Sequence, residues 1–276
     1  EGFTKIPAMR EFGKIWDKNP KRAKELALEA GWILAAELRA HGVDFSFTPV
    51  LDIDYGESQV IGDRAFHRNI QAIEELAQAL TLGLKKGGMA AVGKHFPGHG
   101  FVAADSHVAI PIDERSFAEI EKHDIEPFRR MIDSGMQAVM PAHVIYPKVD
   151  NLPAGFSKVW LQQVLRKHLG FNGVIFSDDL AMEGAVVAGT ITQRAMAALQ
   201  AGCDMVLLCN KPDLADELLE NMEGSMPAQS LARLARMHGK RKPAGMATLY
   251  EDATFVQAVH NVGNVGKADG DLPFVT

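Results

Sequence analysis

The densest group of side chains able to transfer protons falls within fourteen residues of the first half of the chain. Lys94, His95 and His99 lie in the segment KHFPGHG, and Asp105 and His107 follow in DSH. A short apolar run precedes them, which is typical of a buried strand, and the glycines and proline allow sharp backbone bends. A lone loop histidine is more often a solvated or core residue. Three histidines beside a lysine and a carboxylate indicate a functional site.

Asp105 and His107 have a spacing suited to acid and base catalysis. A carboxylate two residues away can accept a hydrogen bond from one imidazole nitrogen, which leaves the other nitrogen for proton transfer. Imidazole has a free pKa of about 6.5, so it can both give and take a proton near neutral pH. The alternative interpretation is an Asx-turn with a nearby surface histidine.

Asp178 and Asp179 end the apolar run VIFSDD. Adjacent residues of a strand point to opposite faces, so one acid can face the site while the other bonds backbone amides or caps the next helix. A partly buried carboxylate beside a cation stays ionised and can act as a nucleophile. Capping alone is the simpler alternative.

Arg64 lies behind a glycine in the segment IGDRAF. The guanidinium fork can clamp a polar ligand through paired hydrogen bonds. A surface salt bridge explains a single arginine equally well, so this signal gains weight only together with the others.

Helices and strands alternate along the chain, which predicts βαβ units, a parallel sheet and an α/β fold. In such folds the carboxyl ends of the strands carry the site, and the candidate residues gather at those ends. The predicted strands cover 43–54, 89–96, 136–144, 173–179 and 203–209. The predicted helices cover 20–41, 70–86, 116–134, 192–200 and 212–222, with another from the cap Ser157 to Gly170.

Composition excludes several classes of protein. The 276 residues are 47% hydrophobic and 23% charged, which is ordinary for a globular protein. We expect one catalytic domain over 1–276, with a loose tail from about 255. The net charge of −6 argues against a nucleic-acid partner. No apolar run approaches the roughly 20 residues of a membrane span. Nucleotide-binding and serine-hydrolase motifs, and the HEXXH zinc motif, are absent from the sequence.

Four segments in a fixed order resemble glycoside hydrolase family 3, and within it the bacterial β-N-acetylglucosaminidases of cell-wall recycling. They are IGDRAF, KHFPGHG with DSH, VMPAHVIYP and GVIFSDDLAMEGA. The resemblance implies a (β/α)8 TIM barrel, a retaining mechanism and no cofactor. It further implies a cytoplasmic monomer whose partner is a small-molecule sugar, namely a muropeptide in which N-acetylglucosamine is joined to 1,6-anhydro-muramic acid.

The resemblance also implies roles for individual residues. Asp178 matches the nucleophile that forms a covalent glycosyl-enzyme. His107, paired with Asp105, matches the acid and base that protonates the leaving group and later activates water. Three further residues match those that bind the terminal N-acetylglucosamine, namely Arg64, Lys94 and His95.

The number of predicted strands differs from that of a closed barrel. Five are predicted here, whereas a (β/α)8 barrel has eight. Family members carry about three more strands before the position of Glu1, so we expect an N-terminally truncated member whose N-terminal strands are missing.

Two other functions remain open from the sequence. One is a sugar-binding module without turnover, which release of phenol from an aryl N-acetylglucosaminide distinguishes from an enzyme. The other is a metal-dependent hydrolase, which a chelator would inactivate, although the sequence lacks the His-x-His pair common in such barrels. Its zinc would be held by residues drawn from His95, His99, His107, His143 and Asp178.

Overall fold

The computed structural model describes residues 2–103, 111–240 and 242–267. The strands are β1 (Val92–Phe96), β2 (Ala138–Pro141), β3 (Ile145–Tyr146), β4 (Asp150–Pro153), β5 (Val174–Asp179) and β6 (Met205–Leu207). Four of them form a central parallel sheet in the order β1-β2-β5-β6, and β3 and β4 form a short antiparallel pair.

Helices connect and cover the strands, as the alternating pattern predicts. The α-helices are α1 (Met9–Trp16), α2 (Pro20–Ala40), α3 (Ile70–Lys86), α4 (Phe117–Lys122), α5 (Ile125–Asp133), α6 (Ile191–Ala201), α7 (Pro212–Asn221), α8 (Ala228–Leu234), α9 (Met246–Glu251) and α10 (Ala253–Gly263). The predicted helix after Ser157 is a π-helical segment over Val159–His168, and the Ser157 hydroxyl accepts a hydrogen bond from the Trp160 amide at 3.1 Å.

Apolar side chains fill both faces of the sheet because strands covered by helices are buried throughout. On one face Val92, Val174 and Phe176 pack together. On the other, Val139 and Ile175 join the larger core shared with the helices. This alternation also decides which face each polar residue occupies at the carboxyl ends of the strands.

The predicted strand over 43–54 is only partly formed. It makes parallel bridges to β1 at Val50 and to Ala90 at Phe45, and does not become a continuous strand. Pro49 has no N–H to donate, so one ladder bond to β1 is missing at that point. The segment still lies beside β1 as a fifth parallel element, because the Leu51 amide donates to the Lys94 carbonyl at 2.6 Å.

The predicted helix over 116–134 is divided into α4 and α5. Pro127 lies in the first turn of α5, where its missing N–H does no harm but its ring excludes a helical carbonyl four residues earlier. Helix α4 therefore ends at Lys122, after beginning with a capping box between Ser116 and Glu119.

The prediction of a loose tail from about 255 is wrong for most of the described residues of that stretch, which are 255–267. Residues 253–263 form α10, and Asp252 caps the helix through the amides of Thr254 and Phe255. The ring of Phe255 is fully buried, edge-on to Trp32 of α2 at 5.4 Å between ring centroids. A buried aromatic anchor holds this helix on the domain.

The fold is therefore α/β with a parallel sheet, as predicted. The described strands form an open arc of the predicted barrel, and an eight-stranded closed barrel is not seen among the described residues. None of the described helices has both the length and the apolar character needed to cross a lipid bilayer.

Candidate active site

A pocket opens at the carboxyl ends of β1 and β5. Strand alternation places Lys94 on the face of Val92 and Asp178 on the face of Phe176, so both polar side chains point the same way as one apolar cluster. The pocket brings together four of the sequence-predicted site residues. Its lining consists of Val60, Ile61, Arg64, Lys94, His95, His99, Asp178 and Met182.

Asp178 is held as a carboxylate in this pocket. Burial by itself would raise its pKa, but His95, His143 and Lys94 and the Asp179 amide together bring the pKa below the usual value of 3.8. The Asp179 amide donates to Oδ1 of Asp178 at 2.8 Å. The group is thus ionised at neutral pH and lies beside cations, as a carboxylate nucleophile requires.

Asp179 faces the other way and bonds backbone amides. Its Oδ1 accepts from the amides of Ala181 and Cys209, both at 2.9 Å. These bonds tie the end of β5 to the segment after β6. The expected division between one acid at the pocket and one acid in the backbone is confirmed.

Lys94 and Arg64 form the cationic side of the pocket. Burial lowers the pKa of Lys94, and the neighbouring Arg64 lowers it further, whereas Asp178 and Asp52 raise it. The Arg64 guanidinium donates to the Val60 carbonyl at 3.1 Å, which fixes the short helical turn that carries it. A negatively charged or hydroxyl-rich ligand would therefore meet donors on this side.

His95 is paired with a buried aspartate that none of the sequence motifs identifies. Oδ2 of Asp52 lies 2.7 Å from Nδ1 of His95, and Oδ1 accepts the His99 amide at 2.8 Å. Asp52 is 1% exposed, and it ends the segment beside β1. Its only signal in the sequence was the acidic ending of LDID, which gave no indication of the partner more than forty residues away.

His143 lies under the pocket. It is 0% exposed, its ring stacks on Phe156 at 5.4 Å, and Nε2 lies 3.1 Å from the Asp179 carbonyl. Burial lowers the pKa of His143 against the opposing effect of Asp178, so the ring is neutral at pH 7 and donates Nε2–H to that carbonyl. Its described contacts position the end of β5.

Asp105 and His107 lie outside the described residues, so their pairing stays a prediction. The residues after that segment are held firmly. The Arg115 guanidinium bonds Asp113 at 2.6 Å and Asp124 at 2.8 Å, and the Tyr55 hydroxyl donates to Asp124 at 3.0 Å. The side chains of Arg115, Asp113 and Asp124 are all largely buried. Their network therefore holds the backbone rigidly near Asp113 and Arg115.

Within residues 2–103, 111–240 and 242–267, no three histidine, cysteine or acidic side chains gather as a metal-binding group. The described imidazoles have other partners, since His95 bonds Asp52 and His143 bonds a backbone carbonyl. The arrangement can bind a polar ligand against Lys94 and Arg64 while an ionised carboxylate, Asp178, attacks it.

Comparisons with known proteins agree with this geometry. The glycosyl hydrolase family 3 N-terminal domain matches residues 1–237. A beta-hexosaminidase of Methylobacillus flagellatus is 73% identical over 274 residues, which cover 99% of this chain and 78% of the relative. A beta-hexosaminidase of Nitrosospira multiformis is 60% identical over 275 residues, covering 100% and 79%.

A solved structure gives the same result in three dimensions. NagZ from Neisseria gonorrhoeae, in complex with N-trifluoroacetyl-D-glucosamine, is 48% identical with a TM-score of 0.89, over 97% of this chain and 77% of that one. Sequence and fold thus agree over nearly the whole chain, which belongs to glycosyl hydrolase family 3.

Proposed function

We propose that the protein is a retaining β-N-acetylhexosaminidase that removes terminal N-acetylglucosamine from muropeptides. The observation that carries this proposal is the ionised Asp178 carboxylate in a pocket with Lys94, His95 and Arg64. The names of the relatives support the reaction class, since those proteins are beta-hexosaminidases. The solved relative binds an N-acylated glucosamine, which supports the sugar.

In this proposal Asp178 attacks the anomeric carbon and forms a covalent glycosyl-enzyme, while the bond to the aglycone oxygen breaks. His107, oriented by Asp105, protonates that departing oxygen and then takes a proton from the water that releases the sugar. Most retaining glycosidases use a second carboxyl group as the acid, and that group needs a raised pKa to stay protonated near an anion. A histidine acid is cationic, so the charge of Asp178 favours its protonated form.

The proposed setting is peptidoglycan recycling by a cytoplasmic monomer without a cofactor. The substrate would be a disaccharide of N-acetylglucosamine and 1,6-anhydro-muramic acid carrying a peptide. Hydrolysis of this compound, compared with the same disaccharide lacking the peptide, tests the substrate class directly. A protein that cleaves aryl N-acetylglucosaminides but leaves both compounds intact would contradict the muropeptide assignment.

The reaction class is tested by following an aryl β-N-acetylglucosaminide by NMR. We expect β-N-acetylglucosamine as the first product, before mutarotation, and unchanged rates after dialysis against a chelator. The α-anomer appearing first would refute retention. Loss of activity with the chelator, restored by zinc, would favour the metal-dependent alternative. Binding of the sugar with no release of phenol would favour a binding module.

Replacing His107 by alanine tests its proposed role as the proton donor. We expect kcat/KM to fall by about 10²–10⁴ for a substrate with a poor leaving group, because proton donation contributes about that factor. An aryl glycoside with an acidic phenol needs little protonation, so its glycosylation step should be much less affected. Equal losses on both substrates, measured side by side, would contradict the acid role.

A further inference from the structure

We propose that Asp52 is a positioning residue that fixes the tautomer and orientation of His95, so that Nε2 of the imidazole is presented to a sugar hydroxyl as an acceptor. This inference rests on the proposed function. It adds to the site a buried carboxylate that touches no pocket surface of its own and acts through its neighbour.

The geometry shows an aspartate built around one imidazole. Oδ2 of Asp52 lies 2.7 Å from Nδ1 of His95, and both carboxylate oxygens accept the His95 amide at 3.2 and 3.3 Å. Oδ1 also accepts the His99 amide at 2.8 Å. One side chain therefore holds the ring of His95, its backbone and the turn that follows. Asp52 is 1% exposed and His95 6% exposed, so water cannot easily replace these bonds.

The charge state of Asp52 decides the tautomer. Burial alone would raise its pKa, but His95, His99 and the hydrogen bonds from both keep the pKa below its usual value. An ionised carboxylate can only accept hydrogen bonds. Nδ1 of His95 must therefore carry a proton, and in the neutral ring the lone pair is left on Nε2.

A lone pair on Nε2 complements the neighbouring residues. Lys94 and Arg64, which line the same pocket, offer only hydrogen-bond donors. A sugar hydroxyl both donates and accepts, so it needs one acceptor beside those donors. His95 supplies that acceptor only while Asp52 holds the proton on Nδ1. With the opposite tautomer, Lys94, Arg64 and His95 would all offer donors to that hydroxyl, while Asp178, the acceptor that also lines the pocket, is directed at the anomeric carbon in the proposed reaction.

Asp52→Asn separates this role from simple packing. The amide keeps the shape and can still accept the backbone N–H groups, but its NH₂ can donate to Nδ1 of His95 and so move the ring proton to Nε2. The matched control is Asp204→Asn. Asp204 is also buried, at 3% exposure, and accepts from Arg166 at 2.8 Å and from the Ile175 amide at 2.9 Å, near the start of β5 and away from the pocket.

The first measurement is ¹⁵N NMR of the histidine rings, with the His95 signals assigned by their loss in His95→Gln. We expect a protonated Nδ1 and an unprotonated Nε2 in the wild type, and a protonated Nε2 in Asp52→Asn. Asp204→Asn should keep the wild-type tautomer although its melting temperature falls. A wild-type His95 protonated on Nε2, alone or together with Nδ1, would overturn the inference, and this measurement on the wild type does not require the variant to fold.

The second measurement is a double-mutant cycle of Asp52→Asn and His95→Gln on an aryl N-acetylglucosaminide. We expect Asp52→Asn to lower kcat/KM about tenfold, which corresponds to about 1.4 kcal/mol, mainly through KM. In the His95→Gln background the same change should cost less than twofold, because Asp52 acts through His95. An equal loss in both backgrounds, or no loss in either, would overturn the inference.

The two readouts distinguish this inference from the proposed function. If the proposed function were wrong, the wild type would not hydrolyse the glycoside, yet Asp52 would still set the His95 tautomer. If only this inference were wrong, the wild type would hydrolyse the glycoside while the tautomer or the mutant cycle departed from the results above.

Discussion

Two adjacent aspartates divide the work at the end of β5. Asp178 faces the pocket as an ionised carboxylate, and Asp179 bonds the amides of Ala181 and Cys209. Asp179 fixes the backbone at the end of β5. The Asp178 carboxylate is therefore held in place although, among the described residues, its own hydrogen bond is only to the adjacent amide. This division was predictable, since neighbouring residues of a strand must face opposite sides.

Replacing Lys94 by methionine tests the charge balance of the pocket. Lys94 helps to lower the pKa of Asp178, so its removal should raise that pKa. A protonated carboxyl cannot attack, and the acidic limb of kcat/KM should therefore move to higher pH. The control is Lys85→Met, at the end of α3, which should leave the limb in place. An unmoved limb in the Lys94 variant would contradict the proposed coupling.

Site residues that are close in the chain could be identified from the sequence, whereas Asp52, which is close to them only in space, could not. The signals for Lys94, His95 and Asp178 were local, because each lies in a motif at the carboxyl end of a strand. Asp52 pairs with His95 across two parallel elements, and no spacing in the sequence indicates which side chains face each other there. Strand register had to be known first.

At the scale of elements, α2 and α3 pack closely through two glycines. A Cβ atom on Gly31 would lie 2.1 Å from the Leu80 carbonyl oxygen, and one on Gly83 would lie 2.0 Å from that of Leu28. The backbones of the two helices are therefore nearly in contact. The apolar periodicity of the sequence predicts both helices. A glycine inside a helix, however, indicates only a lower helix propensity and does not show which element packs against it.

Gly83→Ala should separate these helices. The added methyl group meets backbone that cannot rotate away, so we expect the free energy of unfolding to fall by about 1–3 kcal/mol. Gly263→Ala, near the end of α10, has no atom within 4 Å of the new Cβ and should leave stability unchanged or raise it by at most about 1 kcal/mol. Urea unfolding of both variants measures the difference. Equal stability in the two would contradict close backbone packing.

The mispredicted elements share a physical cause. Pro49 removes a ladder bond from the edge segment, and Pro127 divides a long periodic stretch into α4 and α5. Apolar periodicity continues across both positions, so it indicated single elements. The opposite error concerns α10, where a short apolar face around Phe255 is stabilised by packing on α2, which the local sequence does not show.

At the scale of the whole molecule, burial of neutral histidines makes folding depend on pH. Burial lowers the pKa of His143 and of His99 below the usual value of 6.5. Both side chains are nearly inaccessible, with exposures of 0% and 2%. In the unfolded chain they take up protons below about pH 6.5, whereas in the folded chain they do not until lower pH. Their contribution to stability is complete above that pH and declines as the pH falls below it.

The contribution of these two histidines to the free energy of unfolding should therefore decrease between pH 7 and pH 5. Each such histidine contributes at most about 1.36 kcal/mol per pH unit to this slope. The low pKa values of Asp52 and Asp178 act only below about pH 4, so they do not obscure it. His143→Gln should reduce the slope, whatever its effect on absolute stability, in urea unfolding at several pH values. An unchanged slope would show that His143 does not titrate between the two states.

The central claim is that Asp178 is the nucleophile, and trapping it is the most direct test. Retention of configuration alone does not prove the claim, because the acetamido group of the substrate can also act as a nucleophile in some glycosidase families. The protein should be incubated with a fluorinated N-acetylglucosaminyl fluoride, digested, and sequenced by mass spectrometry. We predict a glycosyl ester on Asp178 and none in Asp178→Asn; a label on another residue, or retained product with no covalent enzyme, would contradict the claim.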